Sequence, residues 1–303
     1  MIEQDAFWMH RSQILSIPFT PLCMPPCFLR FCSLGLVLGA GALWAQVVAS
    51  SVATQDGQDS IAASAGEFIA RPVFWTEDQT PVDFLEMAGR HTKARWRSLF
   101  RPRLPLTPSS DRCKTGFTLG SLIGESFLIW EAGDAQQFRN NNQDIVACCR
   151  TLGMGDRIMP RLMAQAKMAE MDEWKGLRQE IIDGHLEMMR ILREQMDEDL
   201  AVLVSLGAWI RSLEIVSKLV VETPEVDKRP LCIGSPALLA ELRHDFSTLS
   251  DFTRRSALLQ PLITLLADLE QTWSNPKAGA PTQRMVAGTH ERLRSVMEEL
   301  TLK

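Results

Sequence analysis

Thioether and imidazole side chains gather in one part of this chain. Met159, Met163, Met168 and Met171 recur at steps of three to five residues, and His185 and Met188 follow in the next segment. Met159, Met163, His185 and Met188 together offer the soft donors that hold Cu(I). The same residues suit a packing role, because Met fills irregular gaps in helical cores and His185 and Met188 lie on an apolar stripe. A carboxylate dimetal centre needs Glu-x-x-His on each of two helices plus two further Glu. Glu241-Leu242-Arg243-His244 supplies one copy, but His91, His185 and His290 carry Ala88, Ile182 and Ala287 at the matching position. The chain has no Gly-x-Ser-x-Gly elbow, no phosphate loop and no His-Glu-x-x-His, and Gly153-Met154-Gly155 lacks the third glycine of a dinucleotide loop. No cofactor is implied, and the balance leans against catalysis.

Charged residues make two further candidates. Arg211, Glu214 and Lys218 interrupt the otherwise apolar run Leu200 to Val221. Their spacing of three and four residues places them on one narrow stripe of a helix. That stripe is expected to be the one edge of the helix facing water; the functional alternative is a polar groove in which Arg211 meets an anionic ligand or partner. Upstream, Arg90, Lys93, Arg95, Arg97, Arg101 and Arg103 arrive with no acidic residue between Glu86 and Asp111, interleaved with Trp96 and Phe100. Arg95, Arg97 and Arg101 could meet an anionic surface or an envelope protein. The plainer reading is a solvated face.

Helices must position these residues. Pro81 opens a helix predicted to run to Phe100, and the three prolines of residues 101–110 read as a stiff linker and domain boundary. Gly116, Gly120 and Gly124 then share one helix face, which favours close backbone approach and allows helix–helix self-association. A helix is predicted from Gln136 to Leu152, starting as late as Asn142 if the Asn run resists, and another from Asp156. Trp174, Leu177, Ile181, His185, Met188, Leu192 and Met196 form an amphipathic stripe. That helix pairs with Leu200–Val221 as a hairpin turning at Asp197-Glu198-Asp199. Ser235-Pro236 restarts helix, Pro261 kinks or divides the next, and Met285 to Leu300 form the last. Trp209 is the expected partner of the glycine face. With no sustained alternation of apolar and polar residues, the fold is read as all-α, a multi-helix bundle of roughly seven or eight helices.

Composition bounds the setting. The 303 residues carry a net charge of −5, which disfavours nucleic acid as partner. Residues 31–49 resemble a secretory signal, with Arg30 before an apolar run and small residues after it. Cleavage after Ala45 or Ala49 fits; the stretch before it is long, and a start at Met9 or Met24 would shorten it. The chain is thus divided into a signal peptide (1–45), a flexible segment with a basic helix and Pro-rich linker (46–111), and a bundle domain (112–303). Export to the periplasm or beyond is expected, with an N-terminal membrane anchor as the alternative. Cys113, Cys148, Cys149 and Cys232 then remain, either as two disulfides or as small buried hydrophobes. The function expected is a non-catalytic binding or structural component of the cell envelope. A metal- or small-ligand-binding bundle, or an enzyme without a recognisable motif, are the alternatives.

Overall fold

A 24-residue helix, Glu198–Val221, runs through the middle of the molecule and is buried around most of its girth. It is long and apolar enough to cross a membrane, yet the residues that would face lipid are covered by other helices. The computed structural model describes residues 80–102, 106–274 and 280–302. In chain order the helices are α1 (Pro81–His91), α2 (Arg112–Ala132), α3 (Ala135–Thr151), α4 (Gly155–Glu170), α5 (Trp174–Glu194), α6 (Glu198–Val221), α7 (Pro236–Thr248), α8 (Asp251–Arg254), α9 (Gln260–Trp273) and α10 (Gln283–Leu302). Among the described residues there is no strand. The all-α bundle is what the periodicities require.

Local chemistry sets most helix ends. Thr80 and Asp83 form a reciprocal capping box ahead of Pro81, so three features of one short sequence start α1. Asp111 caps α2, Gly133 closes it in the left-handed conformation, and Asp134 caps α3 at once. The Asn run therefore lies inside α3, where Asn141 and Asn142 are buried. Asp197 caps α6, with Glu198 and Asp199 in its first turn. Ser235 caps α7 with Pro236 behind it, and Pro261 sits in the first turn of α9, dividing it from α8. The signal-like residues 31–49 lie outside the described residues.

The closest packing is between α2 and α6. A Cβ at Gly120 would lie 2.0 Å from the Val204 carbonyl oxygen, and one at Gly207 would lie 2.3 Å from that of Phe117. Two glycines thus let two backbones touch. The glycine face meets Leu200, Val204, Ala208 and Arg211 of α6, whereas Trp209 packs on Phe84, with ring centroids 6.2 Å apart. The partner helix matches the expectation and the partner residue does not.

The basic segment also departs from its predicted shape. The helix stops at His91, the chain runs on irregularly to Arg95, and a short 3-10 turn spans Trp96–Leu99. Trp96 folds back so that its indole occupies the space a Cβ at Gly89 would need, 2.6 Å away. A continuous helix to Phe100 would carry Trp96 away from that contact. Val82, Phe84, Leu85 and Ala88 are completely buried against α2 and α6, so α1 belongs to the main core. The Pro-rich stretch therefore joins parts of one core, which begins some thirty residues before the expected boundary at residue 112.

Candidate functional site

The polar stripe of α6 faces the interior. Arg211 is 2% exposed and Glu214 4%, so the water-facing expectation is overturned. Arg211 Nε donates to Glu125 Oε2 of α2 at 2.7 Å, and Nη1 donates to Glu214 Oε2 at 2.7 Å. Arg101, arriving after the 3-10 turn, donates to the same Glu214 oxygen. Gly124 makes room for this arrangement, since a Cβ there would meet the Arg211 stem at 3.0 Å. Two guanidiniums and two carboxylates thus form a neutral cluster drawn from α2, α6 and the segment after α1. Lys218, one turn further on, stays at the surface and donates to the Ser98 carbonyl at 3.0 Å.

The electrostatics follow from that pairing. Burial pushes the Glu214 carboxyl up, and Arg211 and Arg101 more than offset it, leaving the group below the usual carboxylate range. Burial pulls the Arg211 guanidinium down, and Glu125 and Glu214 reverse the direction. Both groups are ionised at neutral pH. Each Arg211 contact is thus with a carboxylate or a backbone carbonyl of the chain itself, and the guanidinium is not presented to an external anion. Ser217, also on α6, donates to the Glu214 carbonyl oxygen at 2.8 Å and lies 3.1 Å from His290 Nδ1. It is wholly buried, which closes it to a substrate.

The remaining candidates are scattered. Arg95 and Arg97 are exposed, Arg97 lying 3.7 Å from Asp134, while Arg101 points inward. The three therefore do not form one basic face. Met163 is 66% exposed and Met188 is 2% exposed in the core, so the thioethers of the soft-metal set do not share one environment. Met159 is half-buried on α4. Between α4 and α5 it is Gln165 that fills the seam, donating to the Glu180 carbonyl at 2.9 Å and sitting over Gly184. His185 is half-buried, its Nδ1 enclosed without a hydrogen-bond partner, and burial together with Arg193 pulls its pKa down to about 4. Among the described residues no group of three or more His, Cys, Asp or Glu is placed to hold a metal ion. Glu241 and His244 are both exposed on α7. Cys113, Cys148, Cys149 and Cys232 are all free thiols, and the last three are buried. The disulfide alternative therefore gives way to the packing one; burial pushes Cys148 up to about 12.

A cavity of about 130 Å³ opens beside the charge cluster, between α2 and α3. Thr118, Ser121 and Glu125 line it from α2, Gln137 and Asn141 from α3, and Arg101 from the segment after α1. Asn141 is pinned by its amide nitrogen, which donates to the Leu122 carbonyl and to Ser126 Oγ, both at 2.8 Å. Thr118, Ser121 and Asn141 are 6%, 6% and 7% exposed, yet the two hydroxyls and Asn141 Oδ1 bond to no other described residue. Such a set is what a binding cavity requires: apolar walls with a few fixed polar groups. Glu125 and Asn141 were not singled out as site residues from the sequence. A carboxylate in the apolar, glycine-bearing middle of a helix was the available signal, because a buried charge demands a partner.

No protein-family model, no curated protein sequence and no solved structure matches the chain.

Proposed function

We propose that this protein acts by binding, as an exported, non-catalytic helical component of the cell envelope that holds a small polar ligand between α2 and α3. The observation that carries the reading is the set of three nearly fully buried polar side chains, Thr118, Ser121 and Asn141, whose uncommitted oxygens line one cavity. Oxygens held by well-packed residues and left without a partner among the described residues are available to water or a ligand in the cavity. The neighbouring cluster of Arg101, Arg211, Glu125 and Glu214 supports the reading by fixing the wall, since its charges are matched within the chain. Export is supported by the signal-like pattern of residues 31–49.

Ligand-observed NMR with a cocktail of small polar compounds tests the binding reading. Compounds that bind wild type should be lost in Ser121→Leu, whose side chain fills the cavity, with an unfolding curve confirming that the variant is folded. Compounds that bind both proteins equally, or none at all, would reject the cavity as a ligand site. N-terminal sequencing of the mature protein tests export: a start at Gln46 or Ser50 agrees, and an intact Met1, Met9 or Met24 does not.

A further inference from the structure

A second concavity lies where α1 meets the end of α2, an open groove of about 570 Å³. Glu86 and Arg90 of α1, Lys93 and Trp96 of the segment after it, and Trp130 and Glu131 of α2 line it. It shares no lining residue with the cavity between α2 and α3. Both indoles are part-exposed and both are fixed in place. The Trp96 ring rests where a Cβ at Gly89 would stand, and Trp130 Nε1 donates to the Trp174 carbonyl at 2.6 Å. Arg178, held by Asp83 and Glu86, lies over the Trp130 ring with its guanidinium carbon 6.0 Å from the centroid. Three polar groups of the groove bond to no other described residue: the Glu131 carboxyl, the Lys93 ammonium and the Trp96 indole N–H. Glu86, by contrast, is taken up by Arg178 and Arg90. Burial and the neighbouring Glu86 hold the Glu131 carboxyl above the usual carboxylate range, and Arg178 and Arg90 only partly offset them. From this arrangement we infer that the groove binds a neutral carbohydrate two pyranose rings long.

A pyranose ring has an apolar face of C–H groups that can cover an indole and a rim of hydroxyls that each donate and accept. Adjacent hydroxyls can both donate to one carboxyl group, while an ammonium and an indole N–H donate to the remaining oxygens. Charge weighs against the simpler ligands. An anion that reached Lys93 would also face Glu86 and Glu131, and a cation that reached Glu131 would also face Arg90, Lys93 and Arg178. A wholly apolar ligand would cover Glu131 and Lys93 without bonding either, which desolvates both with no return. A zwitterionic aromatic amino acid matches the signs, and size decides against it. The groove holds roughly four times the volume of about 150 Å³ that encloses a benzene-sized molecule. One aromatic side chain would meet one indole and leave the other bare, whereas two sugar rings match two indoles.

The test uses the full chain at pH 7 with three neutral disaccharides, cellobiose, maltose and N,N′-diacetylchitobiose, and with L-phenylalanine. Titration followed by ligand-observed NMR should show at least one disaccharide binding about tenfold tighter than its own monosaccharide, with L-phenylalanine failing to displace it. Glu131→Met and Lys93→Met should each weaken that disaccharide about tenfold, because each removes a charged hydrogen-bonding group. Trp96→Leu should abolish measurable binding by removing one of the two flat surfaces. Unfolding curves accompany all three variants, and if Trp96→Leu does not fold the two Met substitutions carry the test. Ser121→Leu, which fills the cavity between α2 and α3, should leave disaccharide binding unchanged, so the two sites succeed or fail separately. Binding of L-phenylalanine in place of every disaccharide overturns the carbohydrate class, and so does binding of no probe at all. Disaccharide binding that Glu131→Met and Lys93→Met both leave intact puts the sugar elsewhere and overturns the site.

Discussion

Arg211 keeps its place in the interior because two carboxylates reach it from different elements, Glu125 from α2 and Glu214 from its own helix. Removing one member of such a cluster leaves the others charged and dry. Arg211→Met is expected to cost about 3–5 kcal/mol in urea denaturation, the range for breaking a buried pair. Arg95→Glu and Arg97→Glu should stay within about 0.5 kcal/mol, since both side chains stand at the surface. Any search for partners by charge reversal must therefore spare Arg101, whose bond to Glu214 makes it part of the core. His185 makes a second prediction at this scale. Its folded pKa, about 4, lies below the ordinary 6.5, so between those values the unfolded chain binds a proton that the native one excludes. Stability should fall as pH drops from about 6.5 toward 4. In His185→Leu that part of the slope should vanish, with roughly 1–2 kcal/mol gained at pH 5 relative to wild type. Stability curves at several pH values check this, and an unchanged slope would show that the imidazole is not excluded from water. The charge pattern at Arg211 and Glu214 was plain in the sequence, but its direction was not. A stripe of three charges on an apolar helix reads the same whether it faces water or a matching group; only Glu125, 86 positions before Arg211, decides between them.

At the scale of elements, the glycines of α2 and α6 make a sharp contrast with the glycine of α10. In a helix, Gly→Ala ordinarily stabilises by about 1 kcal/mol. Gly288 on α10 has nothing within 4 Å of the added Cβ, and Gly288→Ala should show that gain. Gly120→Ala and Gly207→Ala should reverse the sign and lose several kcal/mol, because the new methyl meets backbone that cannot move without separating the helices. Thermal or urea unfolding of the three variants measures the difference. The glycine spacing was legible in the sequence and so was the identity of the partner helix. The facing residues were not: α6 is apolar nearly all round, so its pattern does not fix its rotation, and Trp209 turned toward Phe84 instead. The same holds for α1, whose start was written in Thr80, Pro81 and Asp83 and whose end was set by Trp96 returning onto Gly89.

For the whole molecule, the bundle cannot be cut at the Pro-rich stretch. A chain beginning at Asp111 would lose Val82, Phe84, Leu85 and Ala88 from the core and Arg101 from Glu214. It should unfold at much lower urea concentration than the full chain, or not fold at all; equal midpoints would show that α1 is dispensable. Periodicity made the all-α class legible, while a run of prolines between helices reads as a linker whether or not the helices on either side of it share a core, as α1 and α2 do. Thiol accessibility gives another measure of the fold. Cys148, Cys149 and Cys232 should resist alkylation in native protein and react on unfolding, mapped by mass spectrometry of the peptides.

The seam between α2 and α6 also constrains the order in which the chain can assemble. Gly120 and Gly207 meet across more than eighty intervening positions, and Arg101 and Glu214 across more than a hundred. Contacts this remote in sequence carry a large loop-closure cost and slow the search for the native state. As the chain is synthesised, α2 emerges with Phe117, Leu119 and Ile123 uncovered and waits for α6 to follow. Until then its bare glycine ridge has no mate within the molecule. Timing is thus written into the fold: the first half stays open until the second half arrives.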